Sequence, residues 1–232
     1  ACVIASSKEF HEKTGGVVPE VAARKQVEFI VPDLDQVFSQ IPKQTIDAIA
    51  VTKGPGLVGS LIVGIESAKA LSLALGKPII AVNHLVAHFY ANFLTFPTKE
   101  ILFPALALVV SGGHTDLVLV QYHGNLTHLG STVDDAAGEA FDKTARILGI
   151  GDYLGGAKLS QKALECKKNN LAGKLPRPML DQNNYDFSFS GLKTAVKRLV
   201  EGKNLSEAGS KAEKESEHYS VEEIAKEFET AI

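Results

Sequence analysis

Cysteine is almost missing from this sequence: Cys2 and Cys166 are the only two among 232 residues. They stand far apart in no Cys-x-x-Cys spacing, which excludes a cysteine zinc site and fits a reducing compartment. A dominant charge sign is lacking as well. With 24 Lys and Arg against 27 Asp and Glu the formal net charge is -3, so any contact with nucleic acid rests on a local patch and not on a bulk basic field. Apolar stretches such as "LALVV" are broken by Gly, Ser or His short of a membrane-spanning length, and neither a signal peptide nor a lipidation motif is seen. The expected location is cytoplasmic, with no membrane partner. The glycine turns "GPGLVGS" and "LGG" (154–156) match neither a Walker loop nor a dinucleotide fingerprint, which leaves ATPase and dehydrogenase assignments without support. What is present is a 45% hydrophobic composition, sufficient for one large α/β domain or two small ones.

The chain opens on "ACVIASS", without Met or a polar leader, and closes on "EEIAKEFETAI" within an amphipathic pattern, so incompleteness at both ends is expected. "VPEVAARKQVEFIVPDLDQVFSQI" has helical spacing, with Pro32 imposing a kink or a break. "IDAIAVTKGPG" reads as a buried strand ending in a glycine turn, "VGSLIVGIESAKALSLALG" as a helix, and "PIIAVN" as a second strand. This β-α-β order favours a parallel sheet with a covering helix. From Phe103 the pattern changes to three consecutive strands, "ALALVVSGG", "TDLVLVQYHG" and "LTHLGSTV", joined by a Gly-Gly turn and by "HGN". "DDAAGEAFDKTARILG" then reads as a helix with Asp134 or Asp135 near its N-cap and Ala136, Ala140, Phe141 and Ile147 on its apolar side. A second domain is expected to begin near residue 100. Residues Glu201 to Ser220 are charged and aperiodic and read as a solvated insertion or linker.

Three groups of residues carry chemistry. His84 and His88 in "VNHLVAHF" lie four apart on a helix, an arrangement in which two imidazoles share one divalent ion; the alternative is two hydrogen-bonded histidines. The spacing resembles a zinc peptidase, but Leu85 stands where H-E-x-x-H carries its general base, so peptidase chemistry fails. In "VVSGGHT", the turn Ser111-Gly112-Gly113 lets backbone N–H groups meet an anion such as a nucleotide phosphate, or is a plain hairpin turn. Asp135, Glu139 and Asp142 have helix-face spacing suited to ribose hydroxyls; alternatively Glu139 and Asp142 pair with Lys143 or Arg146 at the surface. Lys167, Lys168, Lys174 and Arg177 form a loose basic group that meets phosphates or is simply solvated.

Taken in order, "GGVVPEVAARK", "VTKGPGLVGSLIVGI", "VNHLVAHFYANFL", "FPALALVVSGGHTDLVLV", "DDAAGEAFDKTARILG" and "LPRPMLDQNNYDFSFSGLKTAV" resemble the TsaD family, in its bacterial or organellar form. The resemblance implies a two-lobed α/β fold of the actin, Hsp70 and sugar kinase superfamily, each lobe a mixed sheet flanked by helices. The lobes would be residues 1–100 and 101–232, each incomplete. It also implies transfer of threonylcarbamoyl from threonylcarbamoyl-adenylate to N6 of adenosine 37 in tRNAs that read ANN codons. By that match His84 and His88 become ligands of one divalent metal, iron or zinc. Val109, Val110, Ser111, Gly112 and Gly113 fall on the segment that meets the phosphate, and Asp142 and Gly156 on further substrate contacts. TsaB-like and TsaE-like subunits are the implied partners, through helices near residues 60–95, and a homodimer is a further expectation.

A mixed anhydride already carries a good leaving group, so no Ser or Cys nucleophile is needed, and no general base is assigned. A non-catalytic TsaB-like scaffold is the alternative from another class. The sequence departs from the family pattern in several places. An N-terminal "GIETSCDET" signature is missing, as are the C-terminal "GGVAAN" motif and its metal-binding aspartate. Gln26 stands in place of His and Ala87 in place of Gly, and "GDYLGGA" stands for "GYPGGP". With two protein ligands alone, metal affinity is expected to be low.

Overall fold

The computed structural model describes residues 1–12, 16–95, 101–151, 154–202 and 219–232. They form two compact units, Ala1–Glu100 and Ile101–Ile232. In the first unit a short helix α1 (Lys8–Glu12) precedes α2 (Pro19–Gln40). Pro19 occupies the first turn, where its missing N–H leaves nothing unsatisfied. Pro32 does not break α2, which continues through it as one 22-residue helix; the ring removes one donor, and the flanking turns carry the helix across the gap.

β1 (Ile49–Gly54) and β2 (Ile79–Asn83) pair in parallel, with Ile49 opposite Ile79 and Thr52 opposite Val82. Helix α3 (Val58–Leu75) is the crossover between them, the β-α-β unit that the pattern predicts. It packs on β1 and on α2 and stops at Gly76, whose φ of 64° is the left-handed conformation glycine adopts without strain. Two expectations change here. β1, read as a buried strand, holds no buried residue, and on β2 Ile79 and Ile80 are 40% and 53% exposed, because a two-stranded sheet has too few neighbours to cover an apolar run. And α3, at 18 residues and mean hydropathy 1.5, is long and apolar enough to cross a membrane by length and composition, although in this unit it serves as a crossover helix. β2 leads without a gap into α4 (His84–Thr95).

The second unit opens with an antiparallel meander of β3 (Ala105–Val110), β4 (Thr115–Tyr122) and β5 (Asn125–Ser131) in that spatial order. Val110 faces Thr115 across the first turn and Tyr122 faces Asn125 across the second, as the Gly-Gly and "HGN" signals predict. Among the described residues four helices follow: α5 (Ala137–Ile147), α6 (Gly156–Glu165), α7 (Ser190–Val200) and α8 (Val221–Ala231). Their apolar faces make one core, in which Ala140, Leu159, Leu192, Val196 and Phe228 are fully or almost fully buried. Phe228 meets Phe141 edge to face, with centroids 5.2 Å apart. Of the stretch read as a linker, residues 203–218 lie outside the described residues. Its last residue, Ser220, is the N-cap of α8: its hydroxyl accepts from the Glu223 amide while the Glu223 carboxylate accepts from the Ser220 amide.

Candidate functional site

In the first unit, Asn83 at the end of β2 sets the histidine pair. Its Oδ1 accepts from the backbone N–H of Leu85 (2.9 Å) and Val86 (3.2 Å), which starts α4 at once. His84 therefore sits on the first helical residue and His88 one turn later on the same face. The two Nε2 atoms stand 3.2 Å apart, with the rings edge to face. Without an ion, one imidazole donates and the other accepts. Two nitrogens bound about 2.0–2.1 Å from one tetrahedral ion are roughly 3.3–3.4 Å apart, so the pair also fits a shared metal. Among the described residues no three His, Cys, Asp or Glu side chains converge, so the pair supplies two donors of a coordination shell.

In the second unit, the turn between β3 and β4 closes with Ser111 N donating to His114 O at 2.8 Å. The Ser111 hydroxyl accepts from the Gly113 amide (3.3 Å) and the His114 amide (3.0 Å). Two of the amides available for an anion are thus turned onto a hydroxyl of the same loop, the local competition that serine brings to turns. An anion arriving there displaces that hydroxyl. Gly112 and Gly113 are exposed, and a Cβ built on either would meet nothing within 4 Å. Val109 and Val110 end β3, the first half-buried and the second exposed.

The turn is docked on α5. Gly138 N donates to Ser111 O at 3.2 Å, and a Cβ on Gly138 would stand 2.7 Å from Ser111 O and 2.9 Å from Gly112 N. Asp134 and Asp135 lie near the N-cap, as read from the sequence, but the N-cap residue is Ala136 and neither carboxylate caps the helix. The acceptor is the buried Thr115 hydroxyl on β4, which takes the Ala137 amide at 2.9 Å. Asp134 instead serves α7: its carboxylate accepts from Phe189 N (2.8 Å), Ser190 N (3.2 Å) and the Ser188 hydroxyl (2.6 Å). Burial pushes its pKa up, and these donors together outweigh that and hold it below the ordinary value. Asp135 is not on α5; it bridges Lys143 and Lys193 at 2.7 Å each. There too burial is opposed and outweighed, by the two ammonium groups.

Asp142 lies one turn beyond Gly138 on the same face of α5. Its Oδ1 accepts from the Gly156 amide at 2.8 Å, at the first residue of α6. A Cβ on Gly156 would meet Phe141 Cβ at 3.1 Å and Asp142 Oδ1 at 3.3 Å. The backbone of Ser111 and Gly112, the Asp142 carboxylate and Gly156 are therefore gathered along one side of α5. Glu139 makes the surface pair, with Lys143 at 2.8 Å. Sequence reasoning placed Thr115 beside the turn without seeing its role as acceptor for α5, and it missed Gly138. Gly138 had one legible signal, a glycine in the first turn of a helix, where Ala is preferred unless a neighbour approaches closely.

The molecule is thus a mixed α/β protein of two units, one with a paired imidazole and one with a glycine turn docked on a helix. Its sequence matches the model of the TsaD family, tRNA N6-adenosine threonylcarbamoyltransferase, over residues 1–232. It is 52% identical over 205 residues to the tRNA N6-adenosine threonylcarbamoyltransferase of Thermomicrobium roseum, covering 86% of this chain and 55% of that protein. With the enzyme of the same name from Kosmotoga olearia it shares 46% over 232 residues, 99% of this chain and 64% of the other. With that of Bacillus subtilis it shares 50% over 196 residues, 84% and 55%. The chain belongs to the TsaD family, and it spans 55–64% of the length of these relatives.

Proposed function

We propose that this chain carries part of the catalytic machinery of a tRNA threonylcarbamoyltransferase in the cytoplasm. The observation that carries the reading is the gathering of Ser111, Gly112, Asp142 and Gly156 along one side of α5, where an adenylate would find a phosphate turn and a carboxylate for its ribose. The N6 amine of a tRNA adenosine attacks the carbamoyl carbon of threonylcarbamoyl-adenylate. A C–N bond forms, the C–O bond to the phosphate breaks, AMP leaves with the electron pair, and the amine gives up a proton to water. In this scheme Gly112 and Gly113 admit the phosphate, and Ser111 Oγ releases the two loop amides to it. Asp142 orients the nucleoside while keeping the α5–α6 junction closed. His84 and His88 would hold an iron or zinc ion, which when bound would supply Lewis-acid chemistry. Orientation supplies much of the remaining rate, since the anhydride is already activated.

The test is to carry His84→Ala and Gly112→Ala in the intact protein, assembled with its TsaB-like and TsaE-like subunits. N6-threonylcarbamoyladenosine formation on an ANN-reading tRNA is followed by mass spectrometry of nucleosides, and metal content by elemental analysis. The expected result is loss of metal and of product for His84→Ala and loss of product alone for Gly112→Ala. Full activity of both variants would refute the assignment.

A further inference from the structure

Residues 167–177, KKNNLAGKLPR, hold four cations and no Asp or Glu, and the segment is two-sided. Inward, Leu171 and Leu175 are 0% and 2% exposed in the helical core. Outward, Lys167 and Lys168 are exposed beside Glu165, Glu222 and Glu223, and Lys174 is exposed with its Nζ donating to the Tyr219 hydroxyl and lying over that ring. A buried acid crosses between the two sides: Glu227 on α8 is 1% exposed. Its Oε1 accepts from Gly173 N (2.9 Å) and Arg177 Nη2 (3.3 Å), and its Oε2 from Asn169 Nδ2 (3.4 Å). One turn earlier on the same helix, Glu223 accepts from the Asn170 amide (3.0 Å) and the Asn170 side chain (2.6 Å). Gly173 has φ 74°, a conformation that turns its amide inward at little cost for glycine.

A carboxylate buried among apolar helices costs far more than a neutral side chain unless its acceptor sites are filled. Here they are filled by donors from one loop. We propose that Glu227 is a positioning residue for RNA binding: it fixes the loop of residues 169–177 so that Lys167, Lys168 and Lys174 stand as a preformed phosphate-binding edge. The proposal rests on the tRNA reading above and adds a surface and a residue to it. Preorganisation matters because each long side chain or loop ordered only upon binding subtracts from affinity.

The sign of the effect separates positioning from simple electrostatics. Glu227→Gln removes a negative charge beneath a basic loop, and by charge alone that strengthens RNA binding. It also places an amide N–H where one oxygen accepted, so loop donors lose their partner. Positioning therefore predicts weaker binding. The experiment measures binding of a fluorescent anticodon stem-loop RNA to the intact protein over a range of salt concentrations, with AMP affinity in parallel. Lys167→Ala/Lys168→Ala is expected to weaken RNA binding and to lower the log K against log salt slope by about 2. Glu227→Gln is expected to weaken RNA binding roughly 5-fold or more, since the loop is ordered at binding, with that slope and AMP affinity retained.

Glu227→Gln binding RNA as tightly as the parent, or more tightly, overturns the positioning role while the lysine result still supports the patch. An unchanged double lysine variant overturns the patch and the positioning role with it. A parent protein that binds AMP but not the stem-loop overturns the tRNA reading itself. Should Glu227→Gln fail to fold, Asn169→Ala removes one loop donor to Glu227 without altering charge, and its unchanged RNA affinity would likewise overturn the proposal.

Discussion

Adding one methyl group at either of two glycines distinguishes a phosphate turn from a plain hairpin. A Cβ on Gly138 would lie 2.7 Å from Ser111 O, against ordinary contact from 3.4 Å, so the turn and α5 must part by about 0.7 Å to relieve the overlap. Overpacking of that kind costs about 1–3 kcal/mol, and the better helix propensity of Ala returns up to about 1 kcal/mol. The net loss is about 1 kcal/mol, or about 3–5 °C in melting temperature for a unit of this size. The same displacement moves the Ser111–Gly112 peptide, and shifts of this order cost about 10-fold or more in a positioned site. Gly112→Ala has the opposite profile. Its Cβ meets nothing within 4 Å, so stability should stay within about 0.5 kcal/mol, while the methyl group occupies the approach of the phosphate. Differential scanning fluorimetry and calorimetric titration with AMP on the intact protein read both quantities. Gly138→Ala should lose stability and affinity together, and Gly112→Ala affinity alone. If Gly112→Ala and Gly113→Ala both bind AMP like the parent, the turn does not hold phosphate and the site reading is wrong.

Phe228→Ala empties the centre of the second unit, where Phe228 is 0% exposed; about 3–5 kcal/mol should be lost, visible as a lower urea midpoint with a similar slope. Ser220→Ala removes one half of the capping box on α8 and should cost about 1 kcal/mol, measured the same way. Acid should weaken the second unit through Asp134 and Asp135. Both carboxyls sit below their ordinary 3.8 in the folded chain, so the unfolded chain binds protons more readily. Their contribution is complete above the unfolded value and disappears as pH falls through the lower folded values. Melting temperature should therefore hold from pH 7 to about 5 and drop below about 4. Asp135→Asn should be less stable at pH 7 and show a shallower acid limb; a variant with the same limb as the parent would remove Asp135 from that account.

The elements were legible wherever one periodicity ruled a whole segment. The meander followed from two glycine turns between alternating strands, and α5 from apolar positions at helical spacing, because those patterns report on a face that is buried whatever covers it. Burial itself was not legible. The apolar run of β1 reads as a buried strand, yet none of its residues is buried, since exposure depends on how many strands and helices lie alongside.

Polar contacts failed for a related reason. At the start of α5 a local rule selects Asp134 or Asp135, the nearest strong acceptors. The fold brings up Thr115 from β4, 22 residues earlier in the chain, and once its hydroxyl holds the Ala137 amide the two aspartates are released for other work. Asp134 then reaches the N-terminus of α7, 55 residues on, and Asp135 joins Lys143 on its own side to Lys193 on α7. One substituted cap thus ties the turn, α5 and α7 into a single polar framework around the candidate adenylate site. That framework, more than any one ligand residue, decides whether Ser111, Asp142 and Gly156 stay together: Thr115→Val, which keeps the shape and deletes the acceptor, should weaken AMP binding without touching a ligand-contacting group. Calorimetric titration would show it, and unchanged affinity would mean that α5 holds its place by apolar packing alone.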